Sequence, residues 1–280
     1  MKLLRFGAKG EERPGVVDKD GVTRDVSSIV RDFSPDTISP DLVRKLGAAD
    51  LSALPAVPDG VRIGAPVSRT GHFIAIGLNY ADHAAETGAP IPKEPIVFSK
   101  ASNCLSGPND DVLLPKGSVK SDWEVELAVI IGKRCDYVEE ADALGHVFGY
   151  ALCNDMSERE YQTERGGQWI KGKSAPTFGP LGPWLVTADE IPDPHNLAMF
   201  LDLNGSRAQT GNTSTMIFGV ARIVSYLSRF MVLDPGDIIT TGTPPGVGMG
   251  RKPPEYLKGG DEMRLGIAGL GEQRQKVVAR

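Results

Sequence analysis

Short apolar runs, closed off by Gly, Pro, Asn and Asp, set the rhythm of this chain. MKLLRFG and PGVVDKDGVTRDVS predict short strands, with Asp20-Gly21 as the hairpin turn. SPDLVRKLG, from Ser39, predicts a short helix ending at Gly47. The Pro- and Gly-rich run from Ala53 to Gly71 reads as a linker, which sets a small α+β unit at residues 1–70 before a larger one at 71–280. In the larger unit HFIAIG, PIVFSKA, DVLLP, VELAVIIG and VFGYALCN predict strands. NYADHAAETG predicts a brief helix stopped by Gly88 and Pro90, and SEREYQTERGG reads as helical up to its two glycines. NLAMFLDLNGSRAQTG predicts a hairpin turning at Asn204-Gly205. MIFGVARIVSYLSRFM has the helical period and should run to Asp234-Pro235, with DIITTGTPPGVG and EMRLGIAGLG as strands after it. The expected class is α+β, mainly β, around a curved or barrel-like sheet.

Composition narrows the partners. With 33 Gly and 21 Pro among 280 residues, a turn-rich β fold fits better than a helical bundle. The formal charge of −5, without a Lys/Arg run, argues against nucleic acid. The three cysteines form no CxxC pair and read as reduced thiols, which with the absence of a signal peptide or an apolar span predicts a cytoplasmic protein with no membrane partner.

One strand carries a conflict. In SDWEVELAVIIG the residues from Val125 read as buried, yet Glu124 and Glu126 stand two apart at its start, on one face, with Asp122 a step earlier. They are either a solvated strand end or ligands of a cation, because buried like charges need a counter-charge. Mg²⁺ or Mn²⁺ prefers such oxygen ligands. Asp155, at the end of VFGYALCN, is the candidate third ligand, with Ser157 available to cap the following helix; Asp122 is a fourth ligand or an outer partner. His83 and Glu86, three apart, would share a helix face as a general-base dyad or form a surface contact. Lys171 and Lys173 in KGKSAPTFGP are solvated, or neutralise an anionic substrate. TTGTPPGVGMG matches no nucleotide loop and reads as a turn bringing backbone N–H groups and the Thr243 hydroxyl to a carboxylate-sized ligand.

Together NYADHAAE, DWEVELAVIIG, NDMSEREYQ, KGKS and TGTPPGVG resemble the fumarylacetoacetate hydrolase family over roughly residues 71 to 270. The resemblance implies a mixed β-roll with an added N-terminal domain, usually in a homodimer. It implies Glu124, Glu126 and Asp155 as ligands of Mg²⁺ or Mn²⁺, His83 and Glu86 as the water-activating dyad, and Lys173 as the active-site ammonium, with Lys171 the weaker match. Arg159 and Gln162 match positions that contact substrate. The N-terminal segment, GPNDDVLLPKGS and the C-terminal tail resemble members that cleave 2,4-diketo-3-deoxy-L-rhamnonate or -fuconate.

The expected activity is metal-dependent hydrolysis of the C3–C4 bond of a small anionic 2,4-diketo acid, giving pyruvate and a second acid such as lactate. The alternatives are oxaloacetate decarboxylation or isomerisation of a 2-oxo diacid at the same metal site, or a non-catalytic organic-acid binder. Ser99, Trp169, Ile170 and Phe178 are candidates for the wall around the distal half of the substrate.

Overall fold

A computed structural model describes residues 1–88 and 90–280. Two large sheets, accompanied by two two-stranded ones among the described residues, share one apolar core. The larger runs, in spatial order, Thr23–Asp25, Arg13–Val17, Lys2–Phe6, Leu185–Thr187, Val147–Asn154, Val125–Ile131, Ile238–Thr240, Phe73–Gly77 and Ile96–Lys100, with Ile63–Gly64 also paired to Lys2–Phe6. Neighbours are antiparallel except Ile238–Thr240 and Phe73–Gly77, which run parallel. The second sheet orders Ser206–Asn212, Ala198–Leu203, Glu262–Ile267, Gly271–Val278 and Val112–Leu113. Val125–Ile131 and Val147–Asn154 lie centrally and are buried at every position, which is why both read as continuous apolar runs. The mainly β, mixed-sheet expectation holds.

Three local expectations change. The helix expected over Met216–Met231 is only Val220–Leu227. Ile217 N and Phe218 N donate to the main-chain and side-chain oxygens of Asn79, so that stretch is pinned as extended chain and the helix begins after Gly219. The Ala53–Gly71 linker contains Ile63–Gly64, paired with Arg5–Phe6, and buries Ala65 and Val67. SEREYQTERGG supplies a two-residue strand, Ser157–Glu158, and one wide π-type turn, Glu160–Glu164. Ser157 pairs with Asp122 and caps nothing.

Residues before and after position 70 share the larger sheet, through Lys2–Leu3 against Leu185–Val186. An ion-pair cluster adds to this joint. Arg62 donates in parallel to both Asp110 oxygens, each at 2.7 Å, and to Glu12 Oε1 at 2.8 Å. Burial pushes the Glu12 and Asp110 carboxyls up, but Arg62 outweighs it and holds both below their usual range. Depressed carboxyls stabilise the fold fully above their unfolded values, near 4.5 and 3.8, and lose that contribution as pH falls through the lower folded ones. Arg62→Met should cost about 2 kcal/mol at pH 7, a partly exposed cluster being weaker than a fully buried one. It should also flatten the loss of stability between pH 5 and about 3. Urea unfolding at several pH values measures both, and an unchanged acid-side slope would disprove the assignment.

Candidate functional site

The site forms where the central strands end. Glu124 immediately precedes Val125–Ile131, Glu126 is its second residue, and Asp155 follows the antiparallel partner Val147–Asn154. Asp155 N donates to Glu124 O, so the register brings the three acids together. Each offers an oxygen within 4.8 Å of the others, and all three are buried.

Buried carboxylates at this spacing need positive charge, and the chain supplies part of it. Lys173 Nζ donates to Glu124 Oε2 and Asp155 Oδ2, each at 2.7 Å. Lys100 Nζ donates to the other Asp155 oxygen and to Met156 O. Arg159 Nε donates to Asp122 Oδ2 at 2.8 Å, and its Nη2 lies 2.7 Å from Glu124 Oε1 without good hydrogen-bond direction. Burial pushes the Glu124 carboxyl up, yet Lys173 and Arg159 overcome it and hold it at about 2. Glu126 goes the other way: burial, Asp155 and Glu124 push its carboxyl well above the usual range. Its one direct hydrogen bond among the described residues comes from Gly242 N, at 2.8 Å. Four carboxylates, counting Asp122, thus face three cations. A hard divalent cation held by Glu124, Glu126 and Asp155 would more than offset the one excess negative charge and would suit the oxygen donor set.

Asp122 is not one of the clustered acids but their outer partner, joined to Glu124 through the Arg159 guanidinium. The strand breaks between Asp122 and Val125, and its carboxylate accepts from Gly248 N, Met249 N and Trp123 N besides Arg159. It fastens the loop after Ile238–Thr240, and other N–H groups of that loop also serve acids of the chain. Gly242 N goes to Glu126, and Gly246 N to Glu86 at 3.1 Å. Gly242 has φ +96 and packs on Asn79, where a Cβ would lie 2.8 Å from the Asn79 Cβ. The Thr243 hydroxyl donates to Val125 O and accepts from Gln209 Nε2, so it is engaged within the protein although Thr243 borders the cavity.

The helix Ala81–Thr87 covers the site. Its His83 is buried and lines the cavity, with Nδ1 3.1 Å from Glu86 Oε2. His83 thus shares one cavity of about 300 Å³ with Glu124 and Glu126, while Glu86 and Asp155 stand behind its wall. Lys173 and Gln162 border it too, and Gln162 Oε1 accepts from Arg159 Nη1. Lys171 turns away to Arg165 O at the surface. Of the expected distal wall, Trp169 lines the cavity; Phe178 is fully buried in the core, Ile170 is exposed, and Ser99 points to the strand face opposite Phe98. Lys100 went unnoticed in the sequence. Its signal was alternation, since Lys100 shares a strand face with Ile96 and Phe98, so its ammonium points inward.

Comparisons with known proteins identify the family and the fold. The family model described as fumarylacetoacetate (FAA) hydrolase C-terminal matches residues 72–278. A Burkholderia multivorans protein that carries only a provisional hydrolase name is 59% identical over 276 residues, 98% of each chain. The structure of a fumarylacetoacetate hydrolase from psychrophilic Exiguobacterium antarcticum superposes with TM-score 0.86 at 37% identity, covering 100% of both chains. That of maleylpyruvate hydrolase from Sphingobium sp. SYK-6, in complex with manganese(II) and pyruvate, gives 0.82 at 33% identity, covering 100% of this chain and 99% of the other. The matched region opens one residue before the strand Phe73–Gly77 and closes on the last residue of Gly271–Val278, so it takes in the second sheet, the larger sheet apart from its strands within residues 2–64, and every acid of the triad, and this chain belongs to the fumarylacetoacetate hydrolase family.

Proposed function

We propose that this protein is a metal-dependent hydrolase that cleaves the C3–C4 bond of a 2,4-diketo acid, releasing pyruvate and a second carboxylic acid. The observation that carries the reading is that one small cavity is lined by Glu124 and Glu126 of a three-carboxylate cluster and by His83, which Glu86 holds from behind. Mg²⁺ or Mn²⁺ held by Glu124, Glu126 and Asp155 would polarise the substrate's 1-carboxylate and 2-oxo group. Glu86, itself held by Gly246 N, orients His83 so that Nδ1 carries its proton and Nε2 is the basic nitrogen. His83 takes a proton from water, and the hydroxide adds to C4. The C3–C4 bond breaks, its electron pair passes into the pyruvate enolate, and C3 is then protonated. The Lys173 ammonium lies beside the carboxylates that face this growing charge. Arg159 and Gln162, bonded to one another, border the same space and are placed to contact the substrate.

The dyad favours hydrolysis over decarboxylation or tautomerisation, because neither of those requires a water to attack a ketone. The substrate proposed within the class is 2,4-diketo-3-deoxy-L-rhamnonate or its L-fuconate counterpart. With C2, C3 and C4 stripped of stereochemistry the two names describe one molecule, ending in a single hydroxyl-bearing carbon and a methyl group, so the second product is lactate.

Pyruvate release should be assayed from this compound, acetylpyruvate, fumarylpyruvate and oxaloacetate, each with Mg²⁺, Mn²⁺ or EDTA. Metal-dependent release from the diketo acids, abolished by EDTA, is expected. Release from oxaloacetate alone would overturn the hydrolase reading.

A further inference from the structure

We infer that the end of the cavity farthest from the triad selects substrates whose distal group is uncharged and apolar, and that Trp169, Phe98 and Ile96 make the selection. This rests on the preceding reading only in taking the 2-oxo acid end to lie at the triad.

The strand Ile96–Lys100 at the sheet edge lays out the gradient. Ile96, Phe98 and Lys100 share one face, while Val97 and Ser99 are exposed on the other. Lys100 ends on Asp155. The Phe98 ring centre is 5.1 Å from Lys173 Nζ. Ile96 lies a further step out, roughly 13 Å along the strand from Lys100. The cavity wall therefore turns from ionic to apolar along a single strand. Trp169 continues it, tilted against Phe98 with ring centroids 5.1 Å apart. Its ring crosses Gly77, the register partner of Ile96, where a Cβ would come within 2.7 Å of Cζ3. Glycine at 77 is what lets the indole lie there, and Leu78 and Met249 extend the wall.

Cations to receive a distal carboxylate are missing from this end among the described residues. Among the described residues, those bordering the cavity with basic side chains are His83, Arg159 and Lys173. Arg159 and Lys173 are bound to Asp122, Glu124 and Asp155, and His83 faces Glu86. The hydroxyls are taken as well: Thr163 donates to Arg159 O and Thr243 to Val125 O. A carboxylate against this wall would lose its water with nothing to replace it, while an alkyl or aryl group gains from burial.

Two 2-oxo acids of equal chain length isolate the effect. With Mg²⁺ present, calorimetry should show 2-oxohexanoate binding at least about tenfold more tightly than 2-oxoadipate, since one apolar group in such a pocket discriminates by roughly 10–200-fold. Trp169→Ala should weaken 2-oxohexanoate about tenfold and leave pyruvate, too short to reach the wall, within twofold. Ile96→Arg, a change at the half-exposed outer end, should turn the preference toward 2-oxoadipate. Equal or tighter binding of 2-oxoadipate by the unmodified protein, no binding of 2-oxohexanoate, or equal weakening of pyruvate by Trp169→Ala would overturn the inference. Pyruvate release from 2,4-dioxooctanoate is measured in parallel. If none appears while the tail preference stands, the hydrolase reading fails and the apolar wall remains.

Discussion

Glu126→Gln should lower Mn²⁺ affinity at least about 100-fold and leave a metal-free protein that is no less stable than the unmodified one. The two halves have a common origin. Glu126 is 2% exposed, has Asp155 and Glu124 as neighbours, and among the described residues takes one direct hydrogen bond, from Gly242 N. Glutamine keeps the shape and can still accept that bond, so the fold has no reason to suffer. It removes a ligand charge, and loss even of the groups that merely support a ligand costs 10–100-fold in metal affinity. Without metal, a carboxyl pushed above its unfolded value near 4.5 subtracts stability as pH rises from that value toward the folded one. Glutamine has nothing to ionise, so at pH 7 the metal-free variant should melt higher, by about 2–4 °C for each kcal/mol recovered. Thermal melts with and without MnCl₂, together with electron paramagnetic resonance of free Mn²⁺, give both readings. A variant that still binds Mn²⁺ like the parent would remove Glu126 from the ligand set.

His83→Ala should cut hydrolysis of the diketo acid about 10²–10⁴-fold, the usual contribution of a positioned general base, with Mn²⁺ affinity unchanged. The triad lies on the sheet and the dyad on the helix Ala81–Thr87, so losing one need not disturb the other. Lys173→Met offers the contrast. It deletes a group bonded to two triad acids, so it should alter metal binding and turnover together. If hydrolysis persists within tenfold in His83→Ala, water is activated by another group and the dyad is a structural contact.

How much of this the chain announced can be judged residue by residue. The strands around Glu124, Glu126 and Asp155 were legible because a buried β run shows as uninterrupted β-branched and apolar residues, and carboxylates at its edge stand out against it. The Asp20-Gly21 and Asn204-Gly205 turns were legible because left-handed backbone demands such residues, and Asn204 and Gly205 both have positive φ. The helix over Met216–Met231 misled because its apolar period is local, whereas Asn79, far off in sequence, takes Ile217 and Phe218 out of helical hydrogen bonding.

What the sequence by itself determined was the type of chemistry, since residue identities state which charges, protons and donors exist. The tertiary structure decided which of them meet. Asp122, two residues from Glu124, was sent to a loop some 126 positions away, while Lys100 and Lys173 arrived from other elements to share Asp155. The apolar reach of the cavity was decided there as well, because Ile96, Phe98 and Trp169 look like ordinary core residues until the Gly77 backbone leaves room for the indole beside them. Long-range pairing has no local signature, since it depends on register and on close approaches between segments that nothing in either one announces.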